Sequence, residues 1–240
     1  ASAGIIVGVV ALGLGQLITA IIDTLSGGNI FLMLVITAIT SLIIGMGLPT
    51  TATYIVMASL TAPAIVTIGA MNDFIVPLMA AHLFCFYFGI LADDTPPVGL
   101  AAYAAAAIAK SPPIPTGIQG CMYDIRTAIL PFMFIFNTDL ILHNIYSWPQ
   151  GLLIFAMACV GNFAFASATQ GWFVARNKIW ELPLLLAVTL FLMRPDLIAM
   201  LLGIPHEQRY WTYLLGLALY GLIYLMQRPR IPKVEPATAG

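Results

Sequence analysis

Between Asp23 and Asp73 the chain carries no Asp, Glu, Lys or Arg, and the runs Phe74–Ala92, Leu140–Ala175 and Tyr210–Gln227 are equally free of charge. Roughly 20 apolar residues cross a hydrocarbon core of ~30 Å, so these are the lengths a bilayer demands. Charged residues make up 8% of the 240-residue chain and hydrophobic ones 61%, against about a quarter charged in an ordinary soluble domain. A soluble globular fold is excluded. The runs are continuously apolar and rich in Ala, Leu and Ile, whereas a membrane β-barrel alternates apolar and polar residues in strands of about ten. The chain therefore reads as an all-α polytopic membrane protein. Its net charge of −1 provides no basic stripe to neutralise phosphates, which argues against a nucleic-acid partner.

The opening stretch Ala1–Val10 starts on Ala and lacks the basic n-region of a signal peptide. We read the chain as a segment of a longer one, beginning inside or just before a membrane helix. In and just before the first segment, Ile5–Leu25, the residues Gly4, Gly8, Gly13 and Gly15 permit close helix approach in lipid. Ser26-Gly27-Gly28-Asn29 is a turn, with Asn29 placed to cap the next helix. A hairpin is expected over about 30–68, because two apolar helical stretches are parted by Gly45-Met46-Gly47-Leu48-Pro49-Thr50-Thr51. A broken helix is expected over about 74–109. There the apolar run meets Ala92-Asp93-Asp94-Thr95-Pro96-Pro97-Val98-Gly99 and resumes as a run of mostly Ala. Thr95 precedes a proline and is steered away from helix, and Pro96 and Pro97 donate no backbone hydrogen bonds.

After Lys110-Ser111-Pro112-Pro113 a polar stretch reaches Asp124 and Arg126, and a further helix is expected over about 121–136. Asp124 and Arg126 read as a charge pair at a polar helix start. Additional membrane helices occupy 146–226, at Gly151–Val174, Ile179–Met193 (stopped by Arg194-Pro195-Asp196) and Trp211–Met226. The polar, proline-bearing stretch 227–240 is expected to be a disordered cytoplasmic tail. Trp148, Trp172, Trp180, Tyr210 and Trp211 fall near segment ends, as interfacial anchors do. Cys85, Cys121 and Cys159 have no metal-like spacing and read as packing residues. His82 and Cys85 share a helix face but lack a third ligand, so they too read as packing.

The positive-inside rule gives a consistent topology if Lys110, Arg126, Arg176, Lys178, Arg228, Arg230 and Lys233 are cytoplasmic and only Arg194 and Arg209 lie outside. That assignment requires 30–68 to enter and leave from the outer face and 74–109 to cross once despite its break. Non-helical backbone inside a bilayer survives only where protein or a wet cavity covers it. Discontinuous helices are how many secondary transporters build substrate and ion sites. Thr50, Thr51 and Thr53 supply hydroxyl oxygens at the first break, and Asp93 and Asp94 supply charge at the second. The alternative is that both breaks are ordinary loops. It is weakened by Val98–Ala109, which at ~18 Å is too short to cross alone, and by the cost of two adjacent carboxylates in an apolar region.

Three ordered motifs resemble the large membrane subunit of TRAP transporters. They are Gly45-Met46-Gly47-Leu48-Pro49-Thr50-Thr51-Ala52-Thr53-Tyr54, Phe88-Gly89-Ile90-Leu91-Ala92-Asp93-Asp94-Thr95-Pro96-Pro97-Val98-Gly99-Leu100 and Tyr123-Asp124-Ile125-Arg126-Thr127-Ala128-Ile129-Leu130-Pro131-Phe132. The resemblance is strong from about Ala1 to His143 and weak beyond. It is closest to the branch in which small and large membrane subunits are fused and work with a TAXI-type periplasmic substrate-binding protein. It implies a permease of a sodium-driven, elevator-type importer of organic acids in a bacterial or archaeal cytoplasmic membrane. Such a permease has two inverted repeats, of which residues 1–145 would be the second, the small subunit lying upstream. By this analogy Gly45, Gly47, Pro49, Thr50, Thr51 and Thr53 belong to the hairpin tip, and Asp93, Asp94, Thr95, Pro96, Pro97 and Gly99 to the unwound helix. A sodium ion would sit near Thr50, Thr51, Asp93, Asp94 and Thr95. Other branches carry apolar or hydroxyl residues before Thr-Pro-Pro-Val-Gly, so a proton, sodium or both remain open as coupling ions. No other cofactor is implied.

Two other classes compete with this reading. Intramembrane aspartyl proteases use two Asp on neighbouring helices, but the GxGD element they carry is absent here, and the chain reads as a non-enzyme. A passive channel or structural subunit needs neither a binding protein nor a coupling ion, and two interruptions within 60 residues count against it.

Overall fold

The computed structural model describes residues 8, 13, 15–46, 49–95, 99–143, 145, 147–205 and 208–230, with backbone alone at 15, 93, 94, 100, 125 and 126. The described residues are overwhelmingly helical and form no strand. The chain divides into two units, Ala1–Ile141 and Leu142–Gly240.

In the first unit, α1 (Gly15–Ser26) turns through Gly27-Gly28 into α2 (Ile30–Gly45). Asn29 accepts the Leu32 backbone N–H at 3.0 Å, the cap its position predicts. After the first break come α3 (Thr50–Leu60) and α4 (Ala62–Met71). Together they make one 22-residue apolar path, long enough to cross a membrane. Helix α5 (Leu78–Asp94) follows, then α6 (Leu100–Ala109) and α7 (Pro113–Phe136). The stretch Phe74–Pro77 is not helical, so the broken helix starts at Leu78.

Helix α5 is the centre of this unit, packing against α2, α3, α4 and α7. Its fully buried Phe84 joins Met33, Leu34, Met57, Ile65, Ile68 and Ile135 in the core. Phe132 of α7 is the aromatic hub, with ring centroids 5.3 Å from Phe84, 5.7 Å from Phe88 and 6.0 Å from Phe31. Hydroxyls buried on these helices are turned to their own backbone, Thr37 to Met33 O, Ser41 to Thr37 O and Thr61 to Met57 O, which leaves the helices apolar outwards.

Two hairpin ends meet. A Cβ added to Gly28 would lie 3.1 Å from the Asn72 side-chain oxygen, so the chain enters α2 and leaves α4 at one end of the unit.

Helix α7 begins eight residues before the expected 121. Pro112, Pro113 and Pro115 fix φ in the first turn, where a missing N–H has no intrahelical partner to lose. Asp124 and Arg126 therefore lie well inside α7, not at a helix start, and that expectation is corrected.

In the second unit α8 (Trp148–Gln170), α9 (Glu181–Met193) and α11 (Trp211–Gln227) run alternately up and down, with α9 in the middle. Leu185, Val188 and Leu192 of α9 are buried. The expected stop at Arg194-Pro195-Asp196 is a bend of 100° into a short helix, α10 (Pro195–Leu202), because Pro195 suits a first helical turn. Trp148, Trp172, Trp180 and Trp211 are all exposed at or beside helix ends.

The tail expected from Gln227 starts later. Gln227 is the fully buried last residue of α11, and Arg228–Arg230 form a 3-10 turn, while 231–240 lie outside the described residues. The Gln227 side-chain oxygen accepts the Val174 and Ala175 N–H groups at 3.1 and 3.0 Å, and its amide donates to Asn177 and Glu181, both at 2.9 Å. Glu181, also buried, accepts the Lys178 N–H at 2.9 Å and pairs with Arg230. Every hydrogen-bonding group of this amide is used, which is why polar side chains tolerate the site.

Replacing Gln227 by Met keeps the volume and removes four hydrogen bonds. Its expected cost is about 1–3 kcal/mol, measured as a lower unfolding temperature of the detergent-solubilised protein. Single cysteines at the exposed Thr24 and Met71 should be labelled by an impermeant maleimide from the same side, and labelling from opposite sides would contradict the meeting of Gly28 with Asn72.

Candidate functional site

The first break opens where α2 ends at Gly45. Met46 closes that end, its N–H reaching the Leu42 and Ile44 carbonyls. Pro49 is extended (φ −59°, ψ 148°) and precedes α3 without a side-chain cap. The Thr53 N–H and hydroxyl both turn to the Pro49 carbonyl, at 2.9 and 3.2 Å. Pro49 suits this break, since it cannot donate a backbone hydrogen bond to a continuing helix.

The second break follows the same logic. Thr95 is extended (φ −86°, ψ 124°) because it precedes Pro96. Its hydroxyl donates to Leu91 O at 2.7 Å and its N–H to Ala92 O at 3.3 Å. Gly99 is left-handed (φ 31°) and caps α6 with no side-chain bond, a conformation that costs an L-residue roughly 1–2 kcal/mol. The Gly99 N–H returns to the Thr95 carbonyl at 3.2 Å, and α6 starts from Gly99 O, which accepts the Tyr103 N–H at 3.0 Å.

The two breaks pack against each other. A Cβ on Gly45 would overlap the Cβ of Ala92 and lie 3.2 Å from Thr53 Cγ2, and one on Gly89 would lie 3.3 Å from the same methyl. The end of α2, the start of α3 and the last turns of α5 thus converge on Gly45, Thr53, Gly89 and Ala92. One face of α3 is pinned to α5 further along, by Tyr54 Oη to His82 Nδ1 at 3.2 Å and, just past its end, by Thr61 Oγ1 to Cys85 Sγ at 3.2 Å. His82 and Cys85 therefore engage different partners.

Helix α7 runs unbroken past the second interruption. Its C-terminal half faces α5 through Phe132, and its N-terminal half faces α6 across a cavity of about 660 Å³. Ala101, Ala102 and Ala105 line one side of that cavity, and Thr116, Gln119, Tyr123 and Asp124 the other. The second break is thus interior to the length of α7.

Of the residues singled out from sequence, Gly45, Thr53 and Gly99 are buried, Thr50 and Thr95 half-buried, and Pro49 and Thr51 exposed. Gly47, Pro96 and Pro97 lie outside the described residues. Asp93 and Asp94 form the last turn of α5 by their backbone. The structure brings Gly45 and Thr53 together and holds Thr95 next to Gly99, while Thr51 turns outwards. Sequence reasoning missed Gly89 and Ala92 as the floor of the contact, although two small residues one turn apart before Asp93 were a usable signal. It also missed the α6–α7 cavity, signalled by Gln119 and Tyr123 four apart on one helix face.

Apolar helices interrupted at two mutually packed breaks define a polytopic helical membrane protein with a broken-helix site. A family model described as the DctM component of the tripartite ATP-independent periplasmic transporter matches residues 1–148, more than half the chain, and the chain belongs to that transporter family. Residues 151–208 match a second model, described as a domain of unknown function (DUF3394). No curated protein and no solved structure matches the chain.

Gly45→Ala should destabilise the protein by about 1–3 kcal/mol and more than Gly89→Ala, whose neighbour has only to yield a few tenths of an ångström. Gly120→Ala and Gly221→Ala, in helices with nothing within 4 Å, should stabilise by about 0.5–1 kcal/mol. Thermal unfolding of the four variants in one detergent gives the ranking.

Proposed function

We infer that this chain supplies the second of two inverted repeats to the permease of an ion-coupled importer of organic acids, working by elevator-type alternating access. The meeting of Gly45 and Thr53 with Gly89 and Ala92 carries the reading. It joins the first break to the second, which lies interior to the length of α7, and that arrangement is otherwise costly in a bilayer.

The chemistry fits an ion and an anion together. The N-terminus of α3, which has no side-chain cap, presents backbone N–H groups and a positive dipole end suited to a carboxylate. The C-terminal turns of α2 and α5 present carbonyls, to which Thr50, Thr95 and the pair Asp93–Asp94 add oxygen ligands for sodium. A carboxylate in such a site either stays charged by holding the cation or carries a proton itself. Membership of the family supports the partners, a periplasmic substrate-binding protein and a small membrane subunit. We assign the partner to the TAXI type, with the small subunit fused upstream. The basic residues favour a cytoplasmic C-terminus in a bacterial or archaeal inner membrane.

The test is Asp93→Asn and Asp94→Asn in the full-length permease, reconstituted with its binding protein and assayed for uptake of labelled organic acids. At least one variant should lose ion-dependent uptake about tenfold or more, the effect of ~1.4 kcal/mol of lost ion binding, with insertion unchanged. Normal uptake by both, with unaltered dependence on sodium and pH, would remove the pair from coupling. Uptake that never depends on an ion gradient would instead make the protein a passive pathway.

A further inference from the structure

One end of the second unit differs from the other. At the far end, where α9 bends into α10, Arg209 lies 3.3 Å from Asp196 and donates to the Tyr210 hydroxyl. At the near end the backbone that carries Arg176 and Lys178 meets the turn that carries Arg228 and Arg230: Glu181 accepts the Lys178 backbone N–H and pairs with Arg230. Arg230 takes that carboxylate and also reaches the Arg176 carbonyl. Arg176, Lys178 and Arg228 are exposed, and their side chains make no ion pair among the described residues. Three positive charges are left without a counter-charge among the described residues.

The backbone that carries them is fixed. Gln227 ties the start of the Arg228–Arg230 turn to Val174, Ala175, Asn177 and Glu181, and Asn177 in turn donates to Ser167 O at 2.8 Å. Immediately beside the cations, Ile179 is 94% exposed, Trp180 45% and Trp172 51%. Cations held at the end of an apolar helical layer, interleaved with exposed indoles and an exposed aliphatic side chain, match the headgroup zone of a bilayer. There indole rings settle, and each Lys or Arg gains from anionic lipid.

We propose that this Arg176–Lys178–Arg228 cluster binds the phosphate of an anionic phospholipid headgroup, with Ile179 and Trp180 against the upper acyl chains. Arg230 is spent on Glu181 and acts as the brace that positions the cluster. The binding needs only that the second unit sit in a membrane and does not depend on the transport reading.

The full chain, purified in detergent and stripped of lipid, is offered dioleoylphosphatidylglycerol or dioleoylphosphatidylcholine, and retained lipid is counted by native mass spectrometry. The wild type should retain the anionic lipid and not the zwitterionic one. The triple variant Arg176→Gln/Lys178→Gln/Arg228→Gln should lose roughly tenfold or more of that retention, and Lys110→Gln in the first unit should lose none. Equal retention of the two lipids by the wild type, or undiminished anionic-lipid retention by a folded triple variant, overturns the proposal. So does displacement of the lipid by glycerol 1-phosphate at matched concentration, which would make the cluster a soluble-phosphate site. If the triple variant does not fold, raising NaCl from about 50 mM to about 500 mM decides on the wild type alone. Retention should fall steeply, and retention independent of salt overturns the assignment.

Discussion

A backbone N–H or C=O left unpaired in hydrocarbon costs several kcal/mol, and the first unit is organised around two places where the helix ladder stops. At the first, Met46 doubles back on the carbonyls of α2 and Thr53 closes on Pro49. At the second, the Thr95 hydroxyl and N–H seal the end of α5, and the Gly99 N–H spans the gap to the Thr95 carbonyl. The chain thus satisfies locally what it can. The end of α2 at Gly45 is covered by the last turns of α5, while the uncapped start of α3 stays open, with Pro49 and Thr51 exposed. That cover works only at van der Waals distance, so it falls to Gly45, Gly89 and Ala92, residues with little or no side chain.

The second unit answers the same constraint in a different way. Its three long helices are continuous, the one buried hydroxyl in the middle of α9, Thr189, turns to the Leu185 carbonyl, and the larger polar networks sit at the ends of the layer. Gln227 and Glu181 are buried, yet each of their polar atoms finds a partner in the loop after α8 or in Arg230. A polar side chain inside a helix bundle is stabilising only when fully satisfied, and the amide of Gln227 meets that condition with four bonds. The first unit therefore concentrates its irregular backbone at two breaks between helices, and the second concentrates its polar networks at its two ends.

The membrane class and both breaks were legible because each rests on a local rule. Charge-free runs set the medium, Pro49 and Pro96 set where helices stop, and Asn29 sets where one starts. The helix boundary at Pro113 was misread because the polar residues Thr116, Gln119 and Asp124 suggested a loop, whereas three prolines at 112, 113 and 115 set the backbone for a helix regardless of polarity. Gln227 was misread for a similar reason: composition puts a polar residue next to arginines in a tail, and only tertiary contacts with Val174 and Ala175, some fifty residues away, bury it. The contact of Gly45 with Ala92 was illegible for want of a rule. Small residues mark a possible close approach, but which helix approaches is decided by how α2, α3 and α5 share one core.

That shared core bears on how such a site can couple two solutes. A ligand shifts a conformational equilibrium only by its differential affinity for the states. Two ligands are coupled to the extent that both prefer the same state. Here the ends of α2, α3 and α5 cannot be rearranged independently, since moving α2 away from α5 opens the Gly45–Ala92 contact and frees the Thr53 methyl from Gly89. An ion held by the carbonyl ends of α2 and α5 and an anion held at the start of α3 would therefore both stabilise the closed arrangement of one contact. Each would find its site improved by the other without the two solutes having to touch. Coupling built this way needs no charged residue at the contact itself, in keeping with its Gly, Ala and Thr composition.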